Sequence, residues 1–97
     1  MRRVIWLPEA LDDLVRLREF IGDKNREAAK RAAITIKNMA KILEAYPDIV
    51  HPLEDLPDFH DLVVPFGSGS YIVRYRIEKD TVYIVGIRHS KEERFRS

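Results

Sequence analysis

Residues 71–89, YIVRYRIEKDTVYIVGIRH, carry the strongest β-hairpin signal of the chain. Two runs rich in β-branched and aromatic residues flank Lys79 and Asp80, a spacing typical of two antiparallel strands joined by a two-residue turn. The turn sets the register of the two strands. The predicted opposite partners are Ile77 with Val82, Tyr75 with Ile84, and Val73 with Gly86.

Side chains alternate across a strand, so this hairpin should have one nearly apolar face and one mixed face. The apolar face should meet the core. The mixed face combines guanidinium, aromatic, imidazole and aliphatic groups, and is therefore the expected working surface. Its predicted members are Ile72, Arg74, Arg76, Tyr83, Val85, Ile87 and His89.

Length and composition predict a single domain over residues 1–97, because 97 residues supply one modest core and 45% of them are hydrophobic. The chain has no cysteine, which excludes disulfides and thiolate chemistry. The apolar run near the N-terminus is broken at Pro8 and Glu9, too early for a signal peptide or a membrane span. We therefore expect a cytoplasmic protein.

The charges are segregated along the chain. Residues 1–46 hold ten Lys and Arg against seven Asp and Glu, residues 47–65 hold none against five, and residues 66–97 hold seven against four. An acidic stretch between two basic segments favours binding of acidic partners at particular surfaces over general coating of nucleic acid. Solvated faces without a function explain the same pattern equally well.

The first half of the chain predicts one strand and two helices. Residues 2–7 are apolar and rich in β-formers, Pro8 suits the first turn of a helix, and Gly22 suits its end. Asn25 is the expected N-cap of a second helix that ends before Pro47. Small residues along this helix should let the two helices pack closely as an antiparallel hairpin. Its predicted apolar stripe is Ala29, Ala32, Ala33, Ile36, Ala40 and Leu43.

An acidic loop over residues 48–57 precedes a further strand, FHDLVV at 59–64, and Gly67 to Ser70 form the turn into the hairpin. The element order is then β-α-α-β-β-β. This order predicts an α+β fold in which an N-terminal helical hairpin packs on one face of an antiparallel sheet.

The side chains of the mixed face fit two kinds of chemistry. Cleavage of RNA without a metal needs a general base, a general acid and cationic groups around one phosphate. Alternatively, arginines and aromatic residues can anchor a protein partner with no catalytic geometry. A solvent-facing strand pair without a function remains a third reading. The acidic residues lack the spacing of a calcium loop and no histidine pair has zinc spacing, so we expect no metal and no cofactor.

Four stretches resemble the RelE/ParE superfamily of toxins from bacterial type II toxin-antitoxin systems. They are WLPEALDDL at 6–14, NREAAKR at 25–31, YIVRYRI at 71–77 and VYIVGIRHSKEER at 82–94. The resemblance implies growth inhibition and plasmid stabilisation. RelE-type members cut messenger RNA on the ribosome, whereas ParE-type members inhibit DNA gyrase without a known catalytic site.

Departures from the nuclease pattern favour the ParE branch. RelE-like nucleases typically have an arginine at the position of Ile72, and lysines on the preceding strand, where this chain has Asp61 and no lysine. The ParE pattern also has a departure, since His60 stands where an arginine is frequent. The resemblance therefore implies DNA gyrase as the partner, with the ribosome and messenger RNA as the alternative.

The resemblance also implies site residues. For a gyrase inhibitor, the target-binding set is Arg74, Arg76, Arg88, His89, Lys91 and Arg94. For a nuclease, the catalytic set is Arg74, Arg76, Tyr83, His89 and Arg94. A cognate antitoxin should form a hetero-oligomer with the toxin by folding onto the N-terminal strand and the helical hairpin, and the expected contacts are Trp6, Leu11, Val15 and Arg18.

Overall fold

A computed structural model describes residues 2–22, 25–92 and 95, and it contains two helices and four strands. The element order is the predicted β-α-α-β-β-β, and the α+β fold class is confirmed. A short 3₁₀ turn over Ile42–Glu44 follows the second helix. The elements are β1 (Arg3–Trp6), α1 (Pro8–Gly22), α2 (Arg26–Lys41), β2 (His60–Phe66), β3 (Gly69–Glu78) and β4 (Thr81–His89).

The sheet has the strand order β1-β4-β3-β2 and is mixed. The β2, β3 and β4 strands pair antiparallel as predicted, but β1 lies parallel to β4, with Arg3 beside Thr81 and Trp6 beside Ile84. The expectation of an entirely antiparallel sheet is therefore wrong for this one pair. The helical hairpin carries the chain from β1 back across the sheet. The sequence of a four-residue strand does not show whether the strand pairs parallel or antiparallel with its neighbour.

The helix boundaries follow the expected local chemistry. Pro8 opens α1, where its missing N–H has no intrahelical partner, and Gly22 ends it. The Asn25 side chain accepts the amide hydrogen of Ala28 at 3.1 Å, which satisfies one free donor of the first turn of α2. Ala29 and Ala32, both buried, allow α1 and α2 to pack together.

The core lies between the helices and one face of the sheet. From the helices it takes Ala10, Leu14, Leu17, Ala32, Ile36, Ala40 and Leu43, and from the strands it takes Leu62, Val64, Tyr71, Val73, Tyr75, Val82, Ile84 and Ile87. The predicted apolar face of the hairpin is therefore the face that meets the helices. We call the opposite face of the sheet the outer face.

The β3–β4 hairpin departs from a regular register at Val85. Ile77 pairs with Val82 and Tyr75 with Ile84 as predicted, but Arg74 pairs with Gly86, so Val85 has no partner of its own on β3. This β-bulge reverses the alternation of β4 beyond Ile84. The predicted pairing of Val73 with Gly86 is therefore wrong, because Val73 pairs with Ile87.

The bulge changes the face of two residues that were assigned to the mixed face. Ile87 is fully buried in the core, where the expectation placed it on the working surface. His89 pairs with the core residue Tyr71, so its side chain also belongs to the helix side of the sheet. A hairpin without a bulge, as expected from the sequence, would place the side chains of Ile87 and His89 on the outer face.

A buried carboxylate stabilises β4 beyond the end of β1. Asp13 on α1 is 4% exposed, and its Oδ2 atom accepts the amide hydrogen of Ile87 at 2.9 Å. Arg16, one turn further along α1, donates from Nη2 to the Ile87 carbonyl at 3.4 Å. The two side chains provide the hydrogen bonds that a neighbouring strand would provide.

The loop between α2 and β2 is attached to the sheet by two side chains. The Tyr75 hydroxyl donates to the Pro47 carbonyl at 2.7 Å, and burial, followed by the charge of Asp48, raises the pKa of Tyr75 to about 12. The buried His60 ring stacks on Tyr75 at a centroid distance of 4.9 Å, and its Nδ1 lies 2.9 Å from the Val50 carbonyl. These contacts hold the acidic loop in place.

Over the described part of the chain, no helix is both long enough and apolar enough to cross a membrane.

Truncating the core at Ile84 should strongly destabilise the fold. Ile84 has no exposed surface, and Ile84→Ala should lower the free energy of unfolding by about 2 to 5 kcal/mol. Ile34 on α2 is 58% exposed and is the matched control, because Ile34→Ala should change this free energy by less than about 0.5 kcal/mol. Urea unfolding of both variants checks the prediction, and equal losses would contradict it.

Removing the Asp13 carboxylate should destabilise the fold through the amide of Ile87. Asp13→Ala leaves this buried N–H without an acceptor, at a cost of about 1 to 3 kcal/mol. Asp12→Ala is the control, since Asp12 is exposed in the same helical turn. Hydrogen exchange of the Ile87 amide should accelerate in the Asp13 variant alone. An unchanged exchange rate would show that the carboxylate does not protect this amide.

Candidate functional site

Three arginines of the predicted target-binding set lie on the outer face. Arg74 and Arg76 alternate along β3, and Arg88 pairs with Ile72 from β4. Each guanidinium lies beside an aromatic ring and also pairs with a carboxylate or carbonyl oxygen of the same chain. Ile72 neighbours Arg74 along β3 and is opposite Arg88, and it is only 8% exposed although it is on the side away from the helices.

Arg74 has two strong partners. Its Nε and Nη2 donate to the two carboxylate oxygens of Asp61 at 2.9 and 3.1 Å, a bidentate pair across β2 and β3. Its guanidinium carbon also lies 4.3 Å from the centroid of the Phe95 ring. The pair is partly buried, so the planar guanidinium is held in one orientation.

Arg76 makes a similar but more exposed arrangement. Its Nη1 lies 3.0 Å from Glu78 Oε1, and its guanidinium carbon lies 4.6 Å from the centroid of the Tyr83 ring on the neighbouring strand. Tyr83, the aromatic member of the predicted catalytic set, is therefore on the outer face as expected. The Glu78 side chain is 62% exposed, so water screens this ion pair.

Arg88 is turned towards the segment that follows β4. Its Nη1 donates to the Glu92 carbonyl at 2.7 Å and to the His89 carbonyl at 3.4 Å. Its guanidinium carbon lies 5.4 Å from the Phe95 centroid, so Phe95 has one arginine from β3 and one from β4 beside it. Phe95 therefore packs against the outer face of the sheet beyond the end of β4.

His89 lies at the end of the sheet on the helix side. Its ring contacts Tyr71 edge-on at a centroid distance of 5.3 Å, and Nδ1 accepts the amide hydrogen of Lys91 at 3.1 Å. A Cβ atom on Gly69 would lie 3.0 Å from the imidazole, so glycine there gives the ring its space. Burial, and then the charge of Glu92, raise the pKa of the Tyr71 phenol.

A network from α1 fixes this end of β4, and the sequence analysis did not identify it. Arg16 Nη1 donates to Glu92 Oε2 at 2.8 Å, and the His89 amide donates to Glu92 Oε1 at 2.8 Å. Arg16 also lies 3.5 Å from Asp13. The available signal was the spacing of Asp13, which falls three residues after Ala10 and next to Leu14 on the buried stripe of α1.

The remaining positions of the target-binding set lie after β4. Lys91 is exposed, and Arg94 lies outside the described residues. Within the described residues, no group of three or more histidines and carboxylates has the geometry of a metal site. The arrangement offers cationic and aromatic contacts to a ligand.

The predicted antitoxin contacts lie on a separate surface. Leu11 and Val15, one turn apart on α1, are 48% and 55% exposed. A groove of about 270 Å³ runs between Trp6 of β1 and Leu11, with lysines of α2 along its side. A second depression of about 660 Å³ includes Val15 and Arg18. The four residues thus form one face, which we call the α1 face, and it is distinct from the outer face of the sheet.

Comparison with known proteins agrees with this architecture. The family model described as "ParE toxin of type II toxin-antitoxin system, parDE" matches residues 4–94. Two curated relatives from Caulobacter vibrioides, Toxin RelE3 and Toxin RelE2, are 34% and 35% identical over 94 residues each. These matches cover 97% and 93% of this chain and 100% and 97% of the relatives.

A solved structure has the same fold. A chain of the chromosomal ParDE system of P. aeruginosa superimposes with a TM-score of 0.72, covering 92% of this chain and 96% of that one at 16% identity. The family match spans nearly all of the chain, and both curated relatives are toxins by name. The chain therefore belongs to the ParE toxin family of type II toxin-antitoxin systems, within the RelE/ParE superfamily.

Proposed function

We propose that this toxin inhibits growth by binding DNA gyrase through its outer face, and that it does not act by cutting messenger RNA. The observation that carries the proposal is the bulge at Val85. It places His89 on the helix side of the sheet, while Arg74 and Arg76 lie on the outer face. The groups that a nuclease would bring to one phosphate are therefore on opposite sides of the sheet.

The partners of the arginines support the same proposal. A phosphate-binding site presents free cationic donors, whereas Arg74 is paired with Asp61 through both oxygens and Arg76 is paired with Glu78. Such pairs hold guanidiniums in fixed orientations, which suits contacts with a protein surface. The absence of a cation at Ile72 adds to this argument, because Ile72 is buried and offers no charge to a phosphate.

Cleavage of messenger RNA on the ribosome is the second candidate, because both curated relatives carry the name RelE. In that case Arg74, Arg76, Tyr83, His89 and Arg94 form the catalytic set, and His89 has to act from the sheet end. Its Nδ1 already accepts the Lys91 amide hydrogen, which leaves Nε2 as the nitrogen for proton transfer.

The α1 face is the proposed docking surface for a cognate antitoxin in the cytoplasm. Trp6, Leu11 and Val15 offer apolar contacts, and Arg18, Lys37 and Lys41 surround them with positive charge. An amphipathic acidic segment that folds on binding fits this surface. Toxin and antitoxin would then form a hetero-oligomer whose interface leaves the arginines of the outer face accessible.

The two candidate functions predict different results in purified systems. The toxin should inhibit supercoiling by gyrase, and translating ribosomes with the toxin should show no new cleavage of messenger RNA. If the protein is a nuclease instead, His89→Ala should lower single-turnover cleavage about a hundredfold or more, as for loss of a general acid or base. Codon-phased cleavage together with normal supercoiling would overturn the proposal of gyrase binding.

Charge removal should distinguish the outer face from the helices. Arg74→Ala combined with Arg76→Ala should weaken target binding about tenfold or more and relieve growth inhibition, because interface arginines carry much of the binding energy. Replacing the exposed Lys30, Lys37 and Lys41 with Gln is the control, and this variant should remain toxic. Both variants should melt as cooperatively as the parent. A toxic arginine variant beside a harmless lysine variant would assign the target surface to α2.

A further inference from the structure

We propose that Arg74 and Arg88 form a slot on the outer face for an aromatic side chain of a protein partner, in a segment that also carries carboxylates. Phe95 of the same chain occupies this slot in the free protein. The proposal concerns the kind of side chain that the slot accepts. It applies to any partner protein and therefore goes beyond the identity of the target.

The two walls of the slot are held by groups other than Phe95. Both carboxylate oxygens of Asp61 fix the guanidinium of Arg74, and the Glu92 carbonyl, at 2.7 Å, fixes that of Arg88. When the Phe95 ring leaves, these hydrogen bonds remain. The guanidiniums therefore stay in position to contact a different ring, with little loss of side-chain freedom on binding.

The floor of the slot is the backbone of Gly86. A Cβ atom at this position would lie 3.1 Å from Cδ1 of Phe95, so the ring sits where any other residue would place its side chain. Arg76 and Tyr83 make another arginine–aromatic contact on the outer face. They contact each other as neighbours on paired strands, whereas Phe95 reaches its arginines from beyond the end of β4.

Charge and polarity decide the kind of ligand. Aromatic faces attract guanidiniums, and Phe95 demonstrates that a plain hydrocarbon ring fits. Asp61 neutralises one of the two arginines, which leaves one positive charge in the slot, and the exposed Lys91 follows β4. Carboxylates beside the incoming ring complement this charge.

Phe95 competes with the partner for the same place. Its side chain is of intermediate exposure, so its departure exposes apolar surface of the ring and of the slot, and an incoming ring covers the slot again. An incoming ring binds the fraction of molecules in which Phe95 is out of the slot, and the apparent affinity is lowered by that fraction. Removing Phe95 should therefore strengthen binding, which is the opposite of the effect of removing a residue that contacts the partner directly.

The test is an NMR titration with a blocked tripeptide of aspartate, phenylalanine and glutamate. Phe95→Ala should bind this peptide at least about fivefold more tightly than the parent, with shifts at Gly86 and at Nε of Arg74. A peptide with leucine in the centre should bind neither protein measurably. In the Phe95→Ala background, Arg74→Gln or Arg88→Gln should abolish the gain. Arg3→Gln, which removes an exposed charge from β1, should preserve it.

Several results would overturn the proposal. They are equal binding of the phenylalanine and leucine peptides, no binding to Phe95→Ala while its melting temperature matches the parent, and tighter binding of a uridine oligonucleotide than of the peptide. If Phe95→Ala unfolds, Phe95→Leu keeps part of the apolar packing but loses the cation–π contacts, and a smaller gain in the same direction is expected. The titration uses neither gyrase nor ribosomes, so its outcome is independent of the supercoiling and cleavage assays.

Discussion

The carboxylate of Asp13 accepts the amide hydrogen of Ile87 at the point where β1 has ended and β4 has a neighbouring strand only on its β3 side. The position of the residues after Val85 depends on this contact. Ile87 enters the core, Arg88 faces outward and His89 reaches Tyr71. Because Arg16 and Glu92 extend the same network, the first helix and the end of the last strand behave as one packed unit.

The arginines of the outer face are paired with oxygen atoms of the same chain. They are neither free cations nor buried charges, because each has a carboxylate or carbonyl partner and an aromatic neighbour. Guanidiniums in this state have lost much of their side-chain entropy before a partner arrives, which favours tight and oriented contacts. The α1 face has a different chemistry, with exposed aliphatic side chains among flexible lysines. The two faces therefore suit different partners.

Most of the fold could be predicted from local patterns. The N-cap at Asn25, the boundaries of α1 and the pairing of Tyr75 with Ile84 each depend on residues close in sequence. The bulge at Val85 was missed, although Gly86 directly after it is a glycine inside a strand, which often marks a bulge. It is favoured by Asp13, which lies far away in the sequence. Because the bulge inserts one residue into β4, a regular alternation predicted the wrong face for Ile87 and His89.

The candidate site was predicted less completely for the same reason. Arg74, Arg76 and Tyr83 share a face as expected, since β3 is regular there and Tyr83 precedes the bulge. The ring of Phe95 meets Arg74, and the carboxylate of Glu92 meets Arg16 of α1, and both lie beyond the end of β4. Contacts of this kind depend on tertiary geometry, for which a single sequence has no periodic signal.

The parallel pairing of β1 with β4 has a consequence for how the protein comes to be folded. The first strand forms its ladder with the fourth, which also lies in the interior of the sheet. During synthesis, β1 and both helices emerge long before the strand that joins them to the hairpin. Contacts between such distant segments close large loops and slow folding. A nascent chain that lacks β4 has neither a complete outer face nor a complete core, so we expect toxicity only once that strand has been made.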